Sequence, residues 1–211
     1  SPGGVHLAEC YWRLGNKDMA MGMLRGKMLP WNAVKLLGDM GEIEDALRVA
    51  NVYAKSQVAN EVFLSAGDAL RNANRLDEAI EYYQRVLDLD TARNEEYKQR
   101  FDARAKESIE AIRLFDKANV ANVADGSYRD SSTGYNGPLE IEVQVMSGKV
   151  ESLKVTSHSE KQFYAALTDT PKQIIANQSV QDIDGTSGAT ITSQAIVNAT
   201  AKALAQGAKQ Q

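Results

Sequence analysis

The periodicity of apolar positions along the chain differs on the two sides of about residue 120. From Ser1 to about Lys117, strong strand formers are scarce, and Ala, Leu, Glu and Arg recur at helical spacing. Phe63, Ala66, Gly67 and Leu70 share one helical face, and Ala79, Tyr83 and Val86 share the next. These spacings predict helix pairs near 5–28, 31–54 and 57–89. A long closing helix over about 94–117 is expected to cover the apolar face of the last pair. Farther on, Leu139-Glu140-Ile141-Glu142-Val143-Gln144-Val145 alternates strictly, the signature of a half-buried strand. Ser147-Gly148-Lys149 supplies a hairpin turn, and Val150, Leu153 and Val155 continue as a second strand. Pro171 to Gln178 reads as a short helix, and a last helix runs through Ile196 to Leu204. The expected architecture is therefore two domains. An all-α helical region spans 1–118, and a small α+β domain with antiparallel strands and a C-terminal helix spans 121–207. Asn119-Val120-Ala121-Asn122 marks the boundary.

The helical half repeats itself. Leu14-Gly15-Asn16-Lys17-Asp18-Met19-Ala20 is echoed by Met40-Gly41-Glu42-Ile43-Glu44-Asp45-Ala46 and by Ala73-Asn74-Arg75-Leu76-Asp77-Glu78-Ala79. The last two copies are spaced like a tetratricopeptide repeat, and the first pair sits closer. In such arrays small residues such as Gly67 and Ala79 let paired helices approach, while Leu and Tyr fill the space between them. Trp12, Trp31 and Tyr53 fall at packing positions, and the charged run Arg93 to Arg113 reads as the solvated face of the closing helix. A helical-repeat array offers a concave surface for a peptide or partner protein. The competing reading is a spacer.

The most chemically informative stretch is Asp184-Gly185-Thr186-Ser187-Gly188-Ala189-Thr190, with Thr192 and Ser193 just after it. It opens into the last helix, where unpaired N–H groups and the helix dipole favour an anion. Gly188 and Ala189 keep side chains clear, so a phosphate can approach the backbone closely with the Thr190 hydroxyl beside it. The same residues would also serve as an ordinary helix start. The segment resembles the flavinylation signature of the FMN-binding domain family, which includes flavin subunits of sodium-pumping NADH:quinone reductase and of the Rnf complex. The surroundings follow the same order: Asp125-Gly126-Ser127-Tyr128, then Gly134-Tyr135-Asn136-Gly137, paired strands around Ser147-Gly148-Lys149, and the motif helix last. The resemblance covers about 121–207.

That resemblance implies covalent FMN, joined to Thr190 by a phosphoester that a separate flavin transferase makes. Ser187, Gly188 and Ala189 would shape the phosphate nest, and Thr192 and Ser193 would cap the helix or donate to phosphate oxygens. Asp184 would belong to the sequence the transferase reads, or would form an Asx-type turn before Gly185. The ring-side candidates are Tyr135, which either stacks on the flavin or closes a loop, and His158 and Glu160, which either face the flavin or lie solvated at a strand end. Here the chain departs from the quinone-reductase branch, which often carries Glu-Thr-Pro-Gly after a His. This sequence has His158-Ser159-Glu160-Lys161, and its Thr-Pro is Thr170-Pro171. No paired acid and base stands ready for substrate chemistry, so an electron-transfer module is expected rather than a self-sufficient enzyme. The helical repeats would dock its redox partner.

Composition narrows the field. Net charge is −4 over 211 residues, with no basic stripe, which argues against nucleic acid. A single cysteine, Cys10, and two distant histidines, His6 and His158, give neither a disulfide nor zinc-ligand spacing. No apolar run approaches a membrane span. The chain starts without an initiator Met, so a trimmed export signal or membrane anchor is an expectation. Flavinylation of this type implies an extracytoplasmic, periplasmic location in a bacterium. The rival from another class is a non-redox adaptor with an unmodified α+β domain. A third reading is a serine hydrolase built on Ser187 in Gly185-Thr186-Ser187-Gly188-Ala189, with His158 or His6 as base. It only half matches a nucleophile elbow.

Overall fold

The computed structural model describes residues 2–26, 28–185 and 188–210. The chain divides into two compact units, 1–102 and 103–211. In the first, α1 (Pro2–Arg13), α2 (Lys17–Leu24), α3 (Ala33–Asp39), α4 (Ile43–Val52), α5 (Ala59–Asn72) and α6 (Leu76–Leu87) form three antiparallel pairs.

The repeated sequence theme turns out to be one turn used three times. Gly15, Gly41 and Asn74 adopt left-handed backbone, with φ of 85°, 78° and 57°. The N–H groups of Asn16, Glu42 and Arg75 then reach back to the carbonyls of Tyr11, Leu37 and Leu70, each at 2.9 Å. This is a Schellman closure, in which a residue without a Cβ, or an Asn, ends one helix and the next helix starts at once. Ion pairs join neighbouring turns: Lys17 to Glu42 at 2.9 Å, and Arg75 to Glu44 at 2.6 Å. Close helix approach depends on Gly38 and Gly67. A Cβ on Gly38 would lie 2.8 Å from the Ala69 methyl, and one on Gly67 would lie 2.6 Å from the Tyr83 ring. Tyr83 is fully buried and its hydroxyl donates to Asp68 at 2.6 Å.

The helix expected to close the array is α7 (Glu95–Leu114), and the compact units divide within it rather than at 119–122. From Ala103 onward it serves the second unit. Ala105, Ile109, Ala111 and Ile112 are buried there, Glu107 accepts from the Thr133 N–H at 2.7 Å, and Ser108 accepts from Asn198 at 3.3 Å. Arg104 is buried too, so the charged run is not wholly solvated. The expected boundary coincides with a short 3-10 turn, Val120–Asn122.

The second unit holds one antiparallel sheet in the order β1-β2-β3, from β1 (Gly126–Thr133), β2 (Pro138–Met146) and β3 (Lys149–His158). Leu139, Ile141, Val143 and Val145 turn inward along β2, as the alternation predicts. Ser147 and Gly148 both carry positive φ, 52° and 71°, which suits the strand twist of a two-residue hairpin. Asp125 accepts the Ser147 N–H at 2.7 Å, so the Asp-Gly-Ser-Tyr start is fastened to that turn. The Tyr128 ring lies where a side chain on Gly207 would stand.

Helix α8 (Ala166–Asn177) packs on β3, and α9 (Thr190–Gln206) packs on β1 and β2. The expected helix start at Pro171 is too late. The first turn of α8 is closed by bonds to the carbonyls of Phe163, Tyr164 and Ala165. Helix α9 is buried along nearly its whole length. Among the described residues, no helix is long and apolar enough to cross a membrane.

Candidate functional site

The site is built around the first turn of α9. Gly188, with φ of 77°, and Ala189 lead into Thr190, the first helical residue. Ala189 occupies the N-cap position and offers no side-chain oxygen of the kind that Ser or Thr usually supplies there. Thr190 is 6% exposed. Gly185 stands beside it, and a Cβ there would be 3.4 Å from the Thr190 hydroxyl oxygen. The alanine N-cap, the glycine beside the hydroxyl and the left-handed glycine before it suit a phosphate group, because small side chains keep carbon off the approach to the helix amides. Ser187 lies outside the described residues.

Asp184 is exposed, and its backbone is held in both directions by one side chain of α8. Gln173 accepts the Asp184 N–H at 3.0 Å and donates to its carbonyl at 2.9 Å. This clamp fixes the Asp184 backbone, while the amide that would close an Asx-type turn belongs to residue 186, outside the described residues. Nothing in the spacing marks Gln173 as its partner.

Thr192 and Ser193 are buried at 0% and 2% exposure. The Thr192 hydroxyl does not cap its own helix. It donates to the carboxylate of Glu160, with a very short separation. Glu160 is neither solvated nor set out at a strand end: it is 4% exposed and accepts the N–H groups of Tyr135 at 3.2 Å and Asn136 at 3.1 Å. Gly134 makes room, since a Cβ there would fall 2.5 Å from a Glu160 oxygen.

His158 ends β3, exposed, and its Nδ1 accepts the Glu160 N–H at 3.2 Å. Its ring meets Tyr164 edge-on at 6.3 Å. Tyr135, 38% exposed, meets Phe163 edge-on at 5.8 Å and 84°. Phe163 holds a positive φ of 61°, a conformation an aromatic residue rarely adopts. Phe163 and Tyr164 are the site neighbours missed in the sequence, where their only signal is two adjacent aromatics shortly after Glu160. The structure thus joins Tyr135, Glu160 and Thr192 in one bonded chain of contacts. Gly185 lies beside Thr190, and Asp184 precedes it in the chain.

Residues 134–205, which contain these groups, match the model of the FMN-binding domain. The second unit carries an FMN-binding domain. Residues 61–93, in α5, α6 and the loop beyond, match a tetratricopeptide repeat. A stretch of 92 residues is 38% identical to an uncharacterized protein of Treponema pallidum (strain Nichols), covering 43% of this chain and 25% of that protein. The chain's match therefore spans a quarter of that relative's length. The two domain matches describe a flavin-binding protein with a repeat region, and they support FMN as its cofactor.

Proposed function

We infer that this protein is an electron-transfer flavoprotein module that carries FMN covalently on Thr190 through a phosphoester. The observation carrying this reading is that an FMN-binding domain match encloses a threonine at the start of a buried helix whose N-cap residue is an alanine, with Gly185 and Gly188 around it. When bound, FMN supplies one- and two-electron chemistry, which the protein tunes by burial, charge and hydrogen bonding. The chain's own residues hold and orient. The Thr190 oxygen would displace the leaving group from the phosphorus of a flavin nucleotide supplied by the transferase, its proton departing with that group, for a net gain of FMN minus water. The amides of the first turn of α9 would donate to the phosphate oxygens. Gly188 and Ala189 would supply the backbone nest. Asp184, fixed by Gln173, presents the segment that a flavin transferase reads.

A phosphoester keeps the cofactor from dissociating, which matters most where no cytoplasmic pool replaces it. We therefore assign the protein to an extracytoplasmic, periplasmic place in a bacterium, and give the helical repeats the task of docking a redox partner. The test is co-expression with a flavin transferase. The expected product is yellow, fluoresces on a denaturing gel and gains the mass of FMN minus water. Thr190→Val should lose all three properties while remaining folded. A Thr190→Val protein that keeps its flavin overturns the anchor.

A further inference from the structure

Glu160 is an ionisable side chain whose place in the fold demands an explanation. A carboxylate buried to this degree is tolerable only when donors surround it, and charge-assisted bonds are the strong ones. Its donors come from two segments far apart in sequence. The Tyr135 and Asn136 amides belong to the loop between β1 and β2, and the Thr192 hydroxyl belongs to the first turn of α9, two residues after Thr190. On its far side, that loop carries the Tyr135 ring against Phe163. Asn136 in turn accepts the Lys161 N–H at 3.1 Å, closing the loop back onto the segment that bears Glu160.

We propose that Glu160 is a positioning residue that fixes the Tyr135 loop to the first turn of α9 and so sets where an aromatic wall stands relative to a flavin carried on Thr190. The proposal rests on the flavin reading above for its last clause only. Glu160 itself touches the loop amides and the Thr192 hydroxyl, and acts on the cofactor through them. Only a carboxylate suits this place. A glutamine of the same shape keeps one acceptor oxygen and presents an NH2 to the other donors, leaving a loop N–H facing a donor.

The test uses the whole chain, with and without flavin. In the flavin-free protein, Glu160→Gln should speed hydrogen exchange at the Tyr135 and Asn136 amides by about tenfold or more, while the amides of Ile141 and Val143 in β2 keep their wild-type protection. In protein loaded by a transferase and verified by mass, Glu160→Gln and Thr192→Val should both lower flavin fluorescence anisotropy. Thr192→Ser, which retains the hydroxyl, should keep the wild-type value. Unchanged exchange at Tyr135 and Asn136 in a folded Glu160→Gln protein overturns the proposal. So does unchanged anisotropy in both loaded variants. Failure of the wild type to take up FMN would instead refute the flavin reading, and the exchange measurement would still decide what Glu160 does.

Discussion

The two units bury polar groups in opposite ways. In the first, most charged residues sit outside, pairing across exposed turns as Lys17 does with Glu42 and Arg75 with Glu44, while Asp68 and Arg71 of α5 are buried. Its fully buried Tyr83 donates to Asp68 on the neighbouring helix. In the second unit the central helix α9 buries Thr190, Thr192, Ser193, Gln194, Asn198 and Thr200. A polar atom buried without a bond costs about 1–3 kcal/mol, so a helix with this many must place each of them for a purpose. Some serve packing alone: Thr200 donates to the Ile196 carbonyl of its own helix at 2.7 Å. Others reach out of the helix, as Thr192 does to Glu160. Buried polarity is thus structural filling in the repeats, whereas at the N-terminal end of α9 it marks the candidate site.

The strongest way to break this contrast is to remove a polar anchor from the repeats. Tyr83→Ala empties a fully buried site and leaves Asp68 without the hydroxyl, which should cost about 3–5 kcal/mol. Urea unfolding followed by circular dichroism measures it. A loss under about 1 kcal/mol would mean that this core is far looser than its packing indicates. Next come the three Schellman turns. Gly41→Ala puts a methyl on left-handed backbone and should cost about 1 kcal/mol, although nothing lies within 4 Å of where that methyl would stand. Asn74→Gly should do the reverse and stabilise by about 0.5–1 kcal/mol. Equal effects of the two changes would show that the three turns are not equivalent.

What was legible in the sequence follows the same division. The repeats could be read because amphipathic helices and left-handed turn residues leave local marks, and Gly15, Gly41 and Asn74 stand at matching places in the three copies. Strand β2 was readable because its one buried face forces alternation. Strand β1 was not: it lies at the sheet edge, and Ser132 is its one buried residue, so no period appears. Pro171 suggests a helix start because proline suits the first turn, yet Ala166 to Thr170 precede it in the same helix. The motif around Thr190 was legible because close backbone approach demands Gly and Ala. Glu160 was legible as a candidate, but its burial was not, because it depends on donors that only the fold brings together. Gln173 is the plainest case, an ordinary helix glutamine until the chain returns Asp184 to it.

A finer test separates the two kinds of buried hydroxyl in α9. Thr200→Val keeps the shape and removes a bond internal to the helix, so stability should change by less than about 1 kcal/mol and FMN uptake should match wild type. A loss above about 2 kcal/mol would erase the distinction between filling and site.

The smallest expected effect concerns Glu61, a half-buried carboxylate in α5. Burial pushes its pKa above the usual carboxylate value, and the nearby Arg93 guanidinium pulls it back only in part. A folded pKa above the unfolded one means that the folded state holds the proton more tightly. The stabilisation is therefore fully present below the unfolded value near 4.5 and is lost as pH rises through the higher folded value. Glu61→Gln cannot titrate, so its stability curve should lack that decline. Parallel urea titrations of wild type and variant from acid to neutral pH supply the difference curve. A wild type that instead gains stability relative to Glu61→Gln across this range would show that Arg93 outweighs burial, making the pair a net anchor between α5 and the segment before α7.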